Sequence, residues 1–179
     1  MQLKIGDRAP DFRATAVGGK YRAGKEVELS DFRGTRVVLY FYPKDKTPGC
    51  TTQACGLRDA WEELRNRGEI FGVSVDSTAS HKKFIDKFQL SFPLISDPER
   101  KMVNDYGVWL EKSFLGKKYM GTERTTFVID PEGRIERIFR KVKPKEHVDL
   151  LWQLTNCNDS TKMRSVSSLK RKRDSKLKK

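Results

Sequence analysis

Cysteine is scarce in this sequence, with three residues, Cys50, Cys55 and Cys157, among 179. So few, and an odd number, argue against an extracellular disulfide framework and leave a close pair for catalysis, redox sensing or metal binding. Histidine is scarcer still: His81 and His147 each stand in a polar, Lys-containing helical context that predicts a surface position. A zinc centre is not expected, because the cysteine pair is spaced C-x4-C, has no second pair to join, and two surface histidines do not complete a tetrahedral set. No metal or other cofactor is called for. The C-x2-C of a thioredoxin-type reductase is absent. No segment approaches the ~20 apolar residues of a membrane-spanning helix. Met1 to Asp7 lacks the apolar core of an export signal. The expectation is a cytoplasmic protein without a membrane partner. There is no internal repeat.

What is present in excess is positive charge, a formal net of +13, and it is unevenly placed. From Asn158 to Lys179, nine Lys and Arg stand against Asp159 and Asp174, a net of +7 that leaves +6 for the first 157 residues. Little in that stretch is fit for burial, and its composition is that of a disordered basic extension. The expected organisation is one domain over residues 1–156 and a tail over 157–179. Lys170-Arg171-Lys172-Arg173 reads as a nuclear import signal if the source has a nucleus, or as an arm for weak nucleic-acid contact if it has none. A solvated extension with no selected partner is the plainer reading.

The apolar residues are grouped, so a chain of this length builds a core without staples and leaves its cysteines free for chemistry. Phe12 to Val17 and Glu26 to Leu29 suggest a small hairpin over one end of the domain. Arg36 to Tyr42 is a continuous β-branched and aromatic run, which suits a central strand covered on both faces. A helix is expected from near Cys50 to Asn66-Arg67-Gly68, and a second buried strand over Ile70 to Val75. Ala79 to Phe88 reads as a helix, Pro93 to Ile95 as a short extended piece, and Glu99 to Tyr106 as a short helix. Thr125 to Asp130 and Arg134 to Phe139 flank Pro131-Glu132-Gly133, a hairpin signal, and Lys145 to Thr155 closes the domain as an amphipathic helix. Parallel crossovers followed by a late hairpin predict an α/β thioredoxin-like fold: a mixed central sheet flanked by helices, preceded by an N-terminal hairpin.

Thr47 is a suitable N-cap and Pro48 a suitable first helical residue, which puts Cys50 in the first turn. A sulfur there meets unpaired backbone N–H groups and the positive end of the helix dipole. Thiols at such sites have pKa values lowered from ~8.5 to ~7 or below. Pro48 is placed to wall off one side. Cys55 lies five residues on, so on a regular helix the two Cα atoms stand ~8.6 Å apart, beyond the about 7 Å that a disulfide tolerates. If the two react, the first turn or two must unwind. Taken alone, Cys55 is as readily a small core residue.

Pro43-x-x-x-Thr47-x-x-Cys50 resembles the peroxiredoxin active-site pattern. The longer run Phe41-Tyr42-Pro43-Lys44-Asp45-x-Thr47-Pro48-Gly49-Cys50-Thr51, with Cys55 and then Arg58-Asp59, closely resembles the bacterioferritin comigratory protein / peroxiredoxin Q subfamily. The similarity spans roughly residues 3–155, from Gly6-Asp7-x-Ala9-Pro10-Asp11-Phe12 through Glu123 to Asp130 and the last helix. It implies a thioredoxin-dependent peroxidase of hydroperoxides. Cys50 would be the peroxidatic cysteine and Cys55 the resolving one. Thr47 would hydrogen-bond the sulfur and the peroxide, Arg124 would face the thiolate, and Pro43, Pro48 and Gly49 would shape the pocket. A monomer and a dithiol reductant such as thioredoxin are implied as well. Without the resemblance, Arg124 is a solvated charge at a strand end and Thr47 only a cap. Cys157, after the last helix, is the rival resolving residue, although its Asn156 and Asn158 neighbours depart from the pattern of relatives that use that position. A peroxide-sensing or nucleic-acid-associated redox protein remains the alternative.

Overall fold

The computed structural model of the protein describes residues 2–154. The basic tail and Cys157 lie outside the described residues.

The chain opens with a hairpin of β1 (Arg13–Gly18) and β2 (Tyr21–Glu28). The apolar run forms β3 (Val37–Phe41), followed by α1 (Pro48–Asp59) and a short α2 (Trp61–Leu64). Next come β4 (Glu69–Ser74), α3 (Thr78–Phe88), β5 (Leu94–Ser96) and α4 (Lys101–Asp105). The strands β6 (Trp109–Phe114) and β7 (Lys117–Thr122) pair only with each other. β8 (Thr125–Ile129), β9 (Ile135–Phe139) and α5 (His147–Gln153) complete the described chain.

Seven strands form one sheet in the order β2-β1-β5-β4-β3-β8-β9. β3, β4 and β5 run parallel, while β1 pairs antiparallel with β5 and β8 antiparallel with β3. This is the mixed, helix-flanked sheet that the pattern predicts. Along β3 the side chains alternate between two cores. Val37, Leu39 and Phe41 join Phe71, Phe127, Met102 and Val103 on the face that α4 covers. Val38 and Tyr40 join Leu57, Phe84 and Leu151 on the face that α1, α3 and α5 cover. Each such side chain contributes about 1.5–3 kcal/mol on burial, which is why an all-apolar strand belongs at the centre.

Four expectations need correction. The N-terminal hairpin does not sit over one end of the domain: β1 adds to β5 through Thr15↔Ser96 and Ala16↔Ile95, so the hairpin is one edge of the main sheet. The helix expected from Cys50 to Gly68 is broken at Ala60, whose φ of −97° and ψ of 4° leave helical geometry, and it ends in a 3-10 turn over Arg65–Arg67. Gly68 does close it, since a Cβ there would stand 2.4 Å from the Arg36 carbonyl oxygen. The β6–β7 hairpin was not expected. Its turn uses Leu115 and Gly116 with φ of 49° and 77°, and Leu-Gly lacks the Asn-Gly or Asp-Gly signal that marks such turns in a sequence.

The histidines are the fourth correction. Neither is on the surface; both have no exposed area. α3 and α5 lay one flank on the sheet, and each histidine is on that flank while Lys82, Lys83 and Lys145 face away. The polar context described the other side of each helix. His147 Nε2 lies 3.1 Å from Thr126 Oγ1, its ring centre is 5.1 Å from that of Tyr40, and its Nδ1 has no hydrogen-bond partner. Burial, with the Arg124 charge adding to it, pushes the His147 pKa down to about 3.

His147 is thus neutral when folded and takes up a proton on unfolding at any pH between about 3 and 6.5. The stability this gives is complete above pH 6.5 and is lost as pH falls through that window, at about 1.4 kcal/mol per pH unit. Urea unfolding of the parent and of His147→Gln at pH 4, 5 and 6 reads the difference. We expect the variant's slope to be shallower by one proton; equal slopes would remove His147 from the acid response.

Candidate active site

β3 delivers the chain to the site. Tyr42 extends its pairing through an amide bond to the Val73 carbonyl, and the loop turns back at Lys46, whose φ is 62°. Thr47 is extended at the N-cap, Pro48 is the first helical residue and Cys50 the third. The first helical bond runs from the Thr51 amide to the Thr47 carbonyl. The amides of Gly49 and Cys50 precede it, so neither has an intrahelical acceptor. Cys50 therefore stands where the sequence places it, in the first turn, and it is only 2% exposed.

Arg124 reaches it from across the sheet. The residue just before β8 is brought to the C-terminal end of β3 by the antiparallel pairing Phe41↔Thr125. Its Nη2 donates to Cys50 Sγ at 3.3 Å, and its Nη1 donates to Gln53 Oε1. The backbone holds it too, since its carbonyl accepts from the Val142 amide at 2.9 Å. A guanidinium held this way stabilises negative charge on the sulfur and on any oxygen bound beside it.

Gln53 is the residue that sequence reasoning missed. It lies three positions after Cys50, hence on the same face of α1, and is 1% exposed. A polar residue spaced i+3 from the cysteine on a helix whose other buried positions are apolar or small was the available signal. Gly49 has its own reason: an added Cβ would stand 3.4 Å from Arg124 Nη2 and 3.3 Å from Pro144 Cγ. The tighter of the two contacts is with Pro144, and the arginine stands at ordinary contact distance.

Two expected roles take a different form. Thr47 makes no side-chain cap; its hydroxyl donates to the Lys44 carbonyl at 3.1 Å. Donating to the sulfur or to a peroxide oxygen requires the hydroxyl to turn away from Lys44, whereas its oxygen can accept a peroxide O–H as it stands. Pro48 is exposed and Pro43 half-buried. The sulfur is shielded by the cluster it packs in, which includes Tyr40, Tyr42, Ala54 and Leu57, and by the arginine above it.

Cys55 is half-buried, and both cysteines are free. They lie on one unbroken helix, at the separation of ~8.6 Å that regular geometry gives. Outside the arginine a cavity of about 450 Å3 is lined by Leu110, Lys112, Glu123, Arg124, Lys141 and Val142. Burial, and then the neighbouring Arg124, lowers the pKa of Lys112. Among the described residues no group of His, Cys, Asp and Glu is arranged to hold a metal ion, and no helix is long and apolar enough to cross a membrane.

A buried thiol at a helix start, faced by an arginine and with a second cysteine on the same helix, fits a thiol peroxidase on a thioredoxin-like sheet. The chain belongs to the AhpC/TSA family, whose profile matches residues 5–138. It is 48% identical over 149 residues to Peroxiredoxin Bcp of Bacillus subtilis strain 168, covering 83% of this chain and 92% of that one. It is 45% identical over 150 residues to Peroxiredoxin Bcp of Escherichia coli K12, covering 83% and 93%. Among solved structures, the Xanthomonas campestris bacterioferritin comigratory protein, described in terms of its alkyl peroxide reduction, superposes with a TM-score of 0.74 at 35% identity over 83% of this chain and 92% of that one. A cysteine-to-serine mutant of Xylella fastidiosa PrxQ gives 0.80 at 30% identity over 89% and 99%. The protein is a peroxiredoxin, a thiol-dependent peroxidase that takes a peroxide as substrate and a thiol as reductant.

If Gln53 orients Arg124, removing its amide loosens the guanidinium. We expect Gln53→Ala to slow oxidation of Cys50 by hydrogen peroxide about tenfold, the low end of what a hydrogen bond to a charged group is worth. Stopped-flow fluorescence under excess peroxide measures it, and an unchanged rate in a folded variant would show that Arg124 holds its place without Gln53.

Proposed function

We propose that Cys50 is the peroxidatic cysteine of this enzyme and Cys55 its resolving partner, within one chain. The observation that carries the reading is the 3.3 Å contact of Arg124 Nη2 with a sulfur buried at the start of α1. The Cys50 thiolate attacks the terminal oxygen of a hydroperoxide. An S–O bond forms as the O–O bond breaks, and the departing oxygen takes a proton and leaves as water or an alcohol. Arg124 stabilises charge on that oxygen. Thr47 holds the peroxide through its hydroxyl, while Pro43, Pro48 and Gly49 frame its approach.

The product is Cys50 sulfenic acid. The start of α1 then unwinds, Cys55 sulfur attacks the sulfenic sulfur, and the oxygen leaves as water with the thiol proton. An external dithiol, thioredoxin or one like it, supplies two electrons by exchange and restores both thiols. Both hydrogen peroxide and organic hydroperoxides fit the scheme, because only the terminal O–O unit reacts. A monomer suffices, since both cysteines lie on one helix. A reducing, cytoplasmic setting suits a cycle that ends in thiols. The nucleic-acid and nuclear readings of the tail have only its charge behind them, and we do not adopt them.

Cys50→Ser is expected to abolish peroxide consumption. Cys55→Ser is expected to complete one turnover and stop at the sulfenic acid unless a small thiol rescues it. Peptide mass mapping after one equivalent of peroxide decides the pair: a Cys50–Cys55 bond supports the assignment, and a Cys50–Cys157 bond overturns it.

A further inference from the structure

The chemistry above leaves one buried charge cluster unused. Asp45 lies on the loop five residues before Cys50, yet its side chain is 2% exposed and that of His81 has no exposure. Asp45 Oδ2 is 2.9 Å from His81 Nδ1 and accepts from Ser80 Oγ at 2.8 Å, and Oδ1 accepts from Tyr42 Oη at 2.7 Å. The Asp45 amide donates to Asp76 Oδ2 at 2.9 Å, and that oxygen also accepts from Ser74 Oγ. His81 Nε2 lies 3.1 Å from the Ile95 carbonyl oxygen. The two ring nitrogens of His81 are thus held between the Asp45 carboxyl group and the Ile95 carbonyl oxygen. Burial pushes the Asp45 carboxyl up, but the bonds from His81, Tyr42 and Ser80 outweigh it and hold the pKa below its ordinary value.

One loop residue is thereby tied to the ends of β3 and β4, to α3 and to β5. The backbone just beyond it is tied by little, and the side-chain hold there comes from Arg124 on Cys50 and Gln53. Lys46 and Pro48 are exposed, Pro48 has no N–H, and the first turn of α1 is closed by the Thr51 amide bond to Thr47 and an exposed Thr52 hydroxyl bond to Pro48. Cys50 and Gln53 are buried beneath Arg124, and farther along Ala54 and Leu57 anchor the helix in the core. The contrast marks a segment between two anchors. Five residues of chain span up to about 17 Å when extended, ample for Cys50 to close on Cys55 without moving Asp45.

We propose that the buried Asp45–His81 pair is a fixed post that stops the unwinding of α1 at residue 45 and returns Cys50 to its place beneath Arg124 after each cycle. Asp45 and His81 are positioning residues; neither touches the sulfur. The inference rests on the Cys50–Cys55 pairing proposed above. Without the post, the unwound state spreads and gains population. The folded site needed for peroxide attack becomes rarer, and the open state needed for the disulfide becomes commoner. A loss of packing alone gives no such opposition between the two steps.

Two rates and one map test it. Stopped-flow fluorescence resolves oxidation of Cys50 from formation of the disulfide in Asp45→Asn and His81→Gln. We expect the first to fall about tenfold and the second to rise several-fold, with less Cys50 lost to sulfinic acid per turnover by mass spectrometry. Rates that are both unchanged, or that fall together, would overturn the post. Should the variants not fold, amide hydrogen exchange of the unaltered protein decides. The Asp45 amide must stay protected in both the dithiol and the disulfide forms while the amides of residues 49–52 lose protection on oxidation. If the Asp45 amide opens with that of Thr51, there is no post. If mass mapping shows a bond other than Cys50–Cys55, the resolving assignment fails instead, a result read separately from the protection of the Asp45 amide.

Discussion

The pairing of β3 with β8 is the constraint on which the site depends. The strands run antiparallel, so the end of β3 and the beginning of β8 share one edge of the sheet, with Phe41 opposite Thr125. The residue before β8 is Arg124, and the loop after β3 leads into α1. A thiol and a guanidinium 74 positions apart in the chain are thereby placed 3.3 Å apart. A one-residue slip would turn Val38, Tyr40 and Val128 out of one buried face and their neighbours out of the other. The hydrophobic pattern of the two strands, which fills two cores, therefore also sets the distance between the thiol and the guanidinium.

α1 carries opposing demands. Its middle is packed on the sheet through Ala54 and Leu57, and its beginning is built from residues that hold a helix weakly. Pro48 supplies a preset φ without an N–H, and Gly49 carries the backbone entropy cost of a glycine. Burial keeps the sulfur from solvent in the folded turn, while the spacing to Cys55 makes the folded turn incompatible with a disulfide. In the proposed cycle the same first turn is folded for attack and released for the disulfide, and local stability decides between them.

The buried polar residues show how placement overrides residue type. His147 is sealed among Tyr40, Thr126 and the sheet, with a positive arginine near, and is neutral. His81 is sealed equally well but faces the Asp45 carboxyl group and the Ile95 carbonyl. A buried charge left without its partner is costly, so Asp45 and His81 are only tolerable together. That mutual dependence ties the active-site loop to α3 and β5.

Much of this was legible in the residues themselves. The run from Val37 to Phe41 announces a covered strand, Thr47-Pro48 marks a helix start, and a step of five positions from one cysteine to the next on a helix forbids a bond. These follow from sterics and hydrogen bonding within a few positions, which a sequence states directly. The β6–β7 hairpin escaped because its turn residues, Leu115 and Gly116, reach left-handed geometry without the usual dipeptide. Gln53, the buried histidines and the Asp45–His81 pair escaped for another reason. Whether a polar side chain on a helix meets solvent or a partner depends on which flank the sheet covers, and nothing local states that. The sequence by itself determined that Cys50 sits at a helix start and out of reach of Cys55. The tertiary structure decided what surrounds that sulfur and which residue of the loop is held, because both are set by strands and helices that meet only when the sheet assembles.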